Sequence, residues 1–184
     1  MPYYVPSSDT ASTGFGTYGS GTGFYDRTDD YTSPDDTSGI EVDWLIEGSV
    51  TMRLSPTTAP AVDTGSSVTI RARAGGFVRD SNTGTINVSV TATLYEGDPG
   101  SGGAPRGALT ITRAQDEVYS VDSYALSSGE KSAVTDWGNL YLKLDYAGKS
   151  GTGDMWLRIS ELAVEYSTSG ASARMSMLPM LGVG

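Results

Sequence analysis

The amino-acid sequence predicts an all-β fold: an antiparallel β-sandwich, jelly-roll-like, with about eight strands, one short helix and extended N- and C-terminal arms. Two observations predict it. Apolar and polar residues alternate with a period of two along most of the chain, as they do in strands that bury one face. Glycine supplies 24 of the 184 residues and charged residues only 18%, a composition that favours strands joined by many turns over helical bundles.

Eight runs of alternating residues predict the strands. In the clearest run, residues 86–94, Val88, Val90 and Leu94 alternate with small polar residues. The other runs, in chain order, are 40–46, 50–54, 68–73, 109–111, 118–126, 140–146 and 155–166. The apolar parity of the last run changes around Ser160 and Glu161, as one bulged residue would cause. We expect the inter-sheet core to contain Val88, Val90, Leu94, Leu142, Leu144, Leu157 and Ile159.

Turn residues separate the runs, and one segment predicts a helix. Glycine, proline and aspartate mark turns at residues 63–65, 74–76, 96–100, 102–103 and 148–153. Residues 127–130, Ser-Ser-Gly-Glu, have the spacing of a capping box, in which a serine and a glutamate satisfy the first free backbone N–H groups of a helix. Residues 130–134 then supply one or two helical turns.

Missing residue types exclude several kinds of site. The chain contains no cysteine and no histidine. It therefore has no disulfide framework, thiolate metal site or cysteine nucleophile, and neither a Ser-His-Asp triad nor a zinc site that contains histidine. We expect a protein that is not an enzyme, with no catalytic residue, no cofactor and no metal.

Charge and hydropathy exclude two classes of partner. The chain has 12 basic and 22 acidic residues, a formal net charge of −10, so phosphate backbones would be repelled and we expect no nucleic acid as a partner. No segment approaches the roughly 20 apolar residues of a membrane helix, so we expect no membrane partner. The first residues have neither a basic start nor an apolar run, so we expect no signal peptide.

The pattern divides the chain into three parts: an arm over residues 1–27, a sandwich domain over 28–167 and an extension over 168–184. The arm interleaves glycines with aromatic residues, and the extension is rich in methionine. Neither segment can form a core of its own, so each needs contacts elsewhere to become ordered. We expect these segments to bind neighbouring subunits through Tyr3, Tyr4, Phe15, Tyr18, Phe24, Tyr25, Met175, Met177, Leu178 and Met180.

Two further groups of residues allow alternatives. One is a carboxylate cluster in the turn-rich entry to the sandwich: Asp26, Asp29, Asp30, Asp35, Asp36, Glu41, Asp43 and Glu47. It lacks the ligand spacing of an EF-hand loop, so we interpret it as a solvated surface. A Ca²⁺ site, or a carboxylate pair for glycoside hydrolysis such as Glu41 with Asp43, stays open.

The second group is aromatic. The chain has three tryptophans and 11 tyrosines, which could stack against sugar rings if two or three of them shared one exposed face. Tyr119, Tyr124, Tyr141, Tyr146 and Tyr166 fall on strands of different parity, which favours core and strand-pair packing. The lysines Lys131, Lys143 and Lys149 are dispersed and predict no special role.

Several short motifs follow one another in an order that resembles a known domain. They are TDDY at 28–31, PDDT at 34–37, LSP at 54–56, VDTG at 62–65, IRAR at 70–73, TDWGNLYL at 135–142 and LRISEL at 157–162. Over residues 28–166 this order resembles a sandwich domain that recurs in the head- and tail-associated structural proteins of tailed bacteriophages. Two features differ: the loop at 96–106 is longer, and Glu161 stands where an aromatic residue is common.

The resemblance implies a non-enzymatic virion protein, most plausibly one that decorates or cements the capsid. Its partners would then be the major capsid protein or neighbouring structural subunits, it would be present in multiple copies or as a homo-oligomer, and it would be made in the host cytoplasm. The alternative is a receptor- or glycan-binding module of a phage head or tail fibre, for which a sandwich is equally suited.

Overall fold

A computed structural model describes residues 3–18, 36, 39–43, 48–56, 67–78, 86–151 and 155–167. These residues form ten strands and one short α-helix, α1 (Ser128–Ala133). The strands are β1 (Tyr3–Thr13), β2 (Phe15–Tyr18), β3 (Gly39–Asp43), β4 (Ser49–Pro56), β5 (Ser67–Val78), β6 (Asn87–Glu96), β7 (Ala104–Ala114), β8 (Ser120–Ala125), β9 (Leu140–Ser150) and β10 (Met155–Ser167). A 3-10 turn, Pro99–Ser101, lies between β6 and β7.

The strands form two layers, and every described ladder is antiparallel. The first sheet has the order β8-β5-β10-β3-β2, and the second has the order β1-β4-β9-β6-β7. Strand β1 joins the layers, because Tyr3 and Tyr4 pair with β10 whereas residues 4–13 pair with β4. Strand β7 contacts β5 and β8 across the layers. The predicted antiparallel β-sandwich is confirmed.

One hydrophobic core fills the space between the sheets. All seven residues predicted to face it, from Val88 to Ile159, are fully buried. Strand β6 shows why the prediction works: its residues alternate strictly between buried and partly exposed up to Leu94, since successive side chains point to opposite faces of a strand. The apolar residues of the alternating pattern therefore face the core, and the polar residues between them face solvent.

The predicted bulge in β10 is confirmed. The register between β10 and β5 shifts between Ile159 and Glu161, and the buried face passes from Leu157 and Ile159 to Leu162 and Val164. Glu161 is fully buried beside this bulge. One of its carboxylate oxygens accepts a hydrogen bond from Arg71 Nε at 2.7 Å, and burial raises its pKa.

The predicted capping box begins α1. Ser127 Oγ accepts a hydrogen bond from the Glu130 backbone N–H at 3.3 Å, and Glu130 Oε2 accepts one from the Ser127 backbone N–H at 2.7 Å. Tyr124 OH donates to the same carboxylate at 2.8 Å. Hydrogen bonds from Ser127 and Tyr124 lower the pKa of Glu130, so the helix start is anchored to strand β8.

The prediction of a separate arm is wrong for residues 3–18. They form β1 and β2 within the sheets, which raises the strand number from about eight to ten and moves the start of the sandwich from residue 28 to residue 3. Tyr4 is fully buried, with its ring centroid 5.2 Å from that of Tyr166, and Phe15 belongs to the same core. Ladder hydrogen bonds and this burial offset the entropic cost of ordering the segment.

Tyr4 is fully buried and Phe15 is 9% exposed, so both side chains pack within this chain, which corrects their predicted role in binding a partner. Tyr3 and Tyr18 lie in strands β1 and β2. The other residues predicted to bind partners lie outside the described residues: Phe24, Tyr25, Met175, Met177, Leu178 and Met180.

Candidate functional site

The outer face of the second sheet carries a candidate surface site. In β6 and β9 the inward residues Leu94 and Leu142 face the core, so their neighbours in the chain point outward. The register pairs Tyr95 of β6 directly with Tyr141 of β9, and both are partly exposed. Because paired residues on one face have Cβ atoms about 4.5–5.5 Å apart, the two tyrosines leave the sheet side by side; we call them the tyrosine pair.

The same register aligns polar residues in rows across β4, β9 and β6. The rows are Arg53-Tyr141-Tyr95, Thr51-Lys143-Thr93 and Ser49-Asp145-Thr91. Every member of the second and third rows carries a hydroxyl, an ammonium or a carboxylate group. This face thus presents hydrogen-bond donors and acceptors at the regular spacing of the strands, next to an aromatic surface.

A groove of about 380 Å³ runs over this face. Its floor and sides come from four strands and the loop after β6, through Thr10, Ala11, Ser49, Thr51, Tyr95, Asp98, Pro99, Gly100, Ser101 and Lys143. Crossing from β1 to β6 covers three strand spacings, roughly 14 Å. The groove is therefore longer than one sugar ring and is lined by hydroxyl groups on both sides.

The loop that forms one wall of the groove is held in a single conformation. Asp98 caps the 3-10 turn, since its Oδ1 accepts a hydrogen bond from Gly100 N at 2.9 Å and its backbone oxygen accepts one from Gly103 N at 2.8 Å. A Cβ atom on Gly103 would lie 2.2 Å from the Gly97 carbonyl oxygen, so only glycine fits there. These contacts define the backbone conformation of the wall without a ligand.

Glu96 ties the base of this wall to the segment before β9. Its Oε1 accepts hydrogen bonds from Thr135 N at 3.0 Å, Thr135 Oγ1 at 2.5 Å and Asp136 N at 2.7 Å, and its Oε2 accepts two from Arg106. Burial opposes ionisation of this carboxylate, but the hydrogen bonds outweigh burial and lower its pKa to about 2. The anchor next to Tyr95 is therefore ionised at neutral pH.

Glu96→Gln should remove an acid-sensitive part of the stability. Because the pKa of Glu96 is lower in the folded chain than its ordinary value of 4.5, its contribution of about 2–3 kcal/mol is complete above pH 4.5 and is lost as the pH falls towards 2. Urea unfolding of both proteins between pH 7 and 2.5 should give a difference that shrinks over this window. Glu117→Gln, at an exposed position, is the control. A pH-independent difference would contradict the assignment.

The sequence-predicted carboxylate cluster is not brought together as one site by the described residues. Asp36 forms a two-contact ion pair with Arg73, and Glu41 pairs with Arg158 at 2.9 Å. Asp43 lies in β3, and the other members lie outside the described residues: Asp26, Asp29, Asp30, Asp35 and Glu47. Within the described chain no three acidic side chains group as a metal site would require.

The aromatic residues considered in the sequence separate into different environments. Tyr166 lies in the core and Trp137 packs against it, whereas Tyr119 contacts Phe77 with ring centroids 5.2 Å apart. Tyr141 instead joins Tyr95, which sequence reasoning missed, and Lys143, which was given no role. The signal that could have found them is the strand register, and alternation alone does not contain it.

Comparisons with known proteins supply no family. No protein-family description and no curated protein sequence matches the chain. Among solved structures, a chain titled "CBM4 structure and function" superposes on 84% of this chain and 95% of its own length, with a TM-score of 0.43 and 12% sequence identity. At this score the superposition supports no functional inference. In the described part of the chain, no helix is long and apolar enough to cross a membrane.

Proposed function

We propose that this protein is a non-catalytic carbohydrate-binding module that holds a saccharide chain in the groove on the outer face of the second sheet. The tyrosine pair carries the proposal: Tyr95 lines the groove, and Tyr141 lies directly opposite Tyr95 in the neighbouring strand. A pyranose ring has an apolar C–H face and a rim of hydroxyl groups. It therefore suits a surface that combines aromatic rings with rows of polar side chains.

The shape and rigidity of the groove support the same ligand class. A groove that crosses four strands matches a chain of several sugar units. Thr10, Ser49, Ser101 and Lys143 line the groove and match sugar hydroxyl groups as donors and acceptors. The wall at 98–101 and the Glu96 anchor are already ordered, so binding immobilises few protein groups. A binding role also fits a chain that contains no histidine and no cysteine.

Replacing either tyrosine should weaken saccharide binding. We expect Tyr95→Ala and Tyr141→Ala each to lower affinity at least ~10-fold, since buried aromatic contacts at binding sites are worth more than about 1 kcal/mol. Affinity gel electrophoresis against neutral and acidic polysaccharides identifies a ligand, and calorimetry measures the variants. Tyr124→Ala, on the first sheet, is the matched control. If no polysaccharide retards the wild type, or if Tyr124→Ala weakens binding as much, the proposal fails.

The virion role stays a separate prediction. If the protein were a glycan-binding module on a phage head or tail fibre, it would have both the virion role and the proposed carbohydrate-binding role. A cement protein would instead need contacts through its terminal segments. Ordering of residues 3–18 within the chain removes the main physical support for the cement role. Immunogold labelling of purified particles with an antibody against this protein would test for a virion location.

A further inference from the structure

The charged groups on the outer face of the second sheet differ in whether another group of the chain contacts them. Lys143 Nζ lies 2.7 Å from Asp145 Oδ1, and the Asp98 carboxylate in the groove wall accepts the Gly100 N–H. Arg53 is exposed, lies directly opposite Tyr141, and forms no ion pair with any side chain in the described ranges. Its guanidinium group is therefore available beside the tyrosine pair.

This availability sets Arg53 apart from the other arginines of the described segments. Each of those contacts a carboxylate group: Arg71, Arg73, Arg106, Arg113 and Arg158. In a chain with 22 acidic and 12 basic residues, intramolecular carboxylates are abundant. Among the described arginines, one without a carboxylate partner, beside Tyr141 and one row from the groove residue Thr51, points to a carboxylate that arrives with the ligand.

We propose that the saccharide bound in this groove is acidic, a chain of uronic acid units, with one ring on the tyrosine pair and its carboxylate on Arg53. This inference rests on the proposed function. Guanidinium groups bind carboxylates through two parallel hydrogen bonds, which fixes orientation as well as charge. Neighbouring strands lie about 4.8 Å apart, so Arg53 is one strand from Tyr141 and two from Tyr95, within reach of a substituent on a ring that covers both.

Lys143 supplies a second positive group one row away. It lies in the row next to the tyrosine pair, between Thr51 and Thr93, and its partner Asp145 is on the same strand. A uronate chain that follows the groove brings its next carboxylate towards this row. The net charge of −10 opposes the approach of an anion only weakly, because solvent-exposed charges beyond about 8–10 Å are largely screened at physiological ionic strength.

The test compares one saccharide with and without its charge. Calorimetry is carried out with a galacturonic acid oligomer and with its fully methyl-esterified form. We expect wild-type protein to bind the acid at least ~10-fold more tightly than the ester. Arg53→Gln should bring the preference for the acid below ~2-fold, because it weakens binding of the acid far more than binding of the ester. Lys131→Gln, on α1, changes the net charge by the same amount and should retain the preference.

The outcomes separate this inference from the proposed function. Equal binding of acid and ester by the wild type, with both weakened by Tyr95→Ala, would overturn the acidic ligand and leave saccharide binding intact. Binding only to neutral polysaccharides would do the same. If Arg53→Gln and Lys131→Gln lost the preference equally, the preference would come from the long-range electrostatic field of the protein and not from a contact with Arg53. This result would also overturn the inference of an acidic ligand. If no saccharide of any charge binds, the proposed function itself falls.

Discussion

Arg113→Ala should lower the free energy of unfolding by about 3–5 kcal/mol, the range expected when one partner of a buried charged network is removed. Only 7% of the Arg113 side chain is exposed. Its Nε donates to the Ala74 carbonyl at 2.8 Å and its Nη2 to the Ser120 carbonyl at 2.7 Å. The Asp122 carboxylate contacts the same guanidinium group.

The size of the effect follows from the position of Arg113 between the two sheets. Arg113 lies in β7 of the second sheet, whereas Ala74 and Ser120 lie in β5 and β8 of the first. Without the guanidinium group, three backbone carbonyl oxygens lose this donor, those of Ala74, Thr112 and Ser120. The Asp122 carboxylate also loses its counter-ion, which leaves polar groups unsatisfied near the core. Removal of Arg113 therefore removes its hydrogen bonds and also weakens the contact between the two sheets.

Urea unfolding at neutral pH measures this loss. Thr112→Ser, at the exposed neighbouring position, keeps the hydroxyl that contacts Ser89 Oγ at 2.8 Å; it is the control and should change stability by less than about 0.5 kcal/mol. Arg113→Lys keeps the charge but loses the forked geometry, so it should fall between the wild type and Arg113→Ala. A loss below about 1 kcal/mol for Arg113→Ala would show that the network does not hold the layers together.

Leu142→Ala should destabilise the fold by about 2–5 kcal/mol. Leu142 is fully buried in the centre of β9, and removing its side chain costs the transfer free energy together with the cavity that remains. Lys143→Ala, one residue further and on the opposite face of the strand, should change stability by less than about 0.5 kcal/mol. Thermal and urea unfolding of the two variants would check both values.

The contrast between these neighbours tests the orientation of β9. If Leu142→Ala costs less than about 0.5 kcal/mol, or if Lys143→Ala costs more than Leu142→Ala, then the strand presents its faces the other way round. The groove would then lose Lys143 and the outer face would lose Tyr141, because a slip of one residue moves every side chain to the opposite face. The stability measurement therefore checks the site independently of any ligand.

Local patterns in the sequence were sufficient to predict the strands, the core and two irregular features. The alternation in 86–94 and 140–146 is itself the effect of burying one face, so it identifies the inward residues without knowledge of their neighbours. The bulge near Ser160 and Glu161 appears as a change of parity, and the helix start as the Ser127 to Glu130 spacing. Each of these signals involves residues close together in the chain.

The N-terminal segment and the site could not be predicted in the same way. Glycine and aromatic residues over 1–27 indicate a segment without its own core, but they do not say whether its partner is another chain or this one. Only the ladders of β1 with β10 and β4, and the burial of Tyr4 and Phe15, decided this. Those contacts join residues far apart in sequence.

The sequence by itself determined which side chains face the core and which face solvent, because that choice depends on a period of two within each strand. Only the tertiary structure decided which outward residues stand together. The pairing of Tyr95 with Tyr141 and of Tyr141 with Arg53 depends on the register between β6, β9 and β4, and register is set by the packing of whole faces across distant strands. The hydrogen bonds of Arg113 between the layers were likewise decided by the tertiary structure, because the two carbonyl groups involved belong to the opposite sheet.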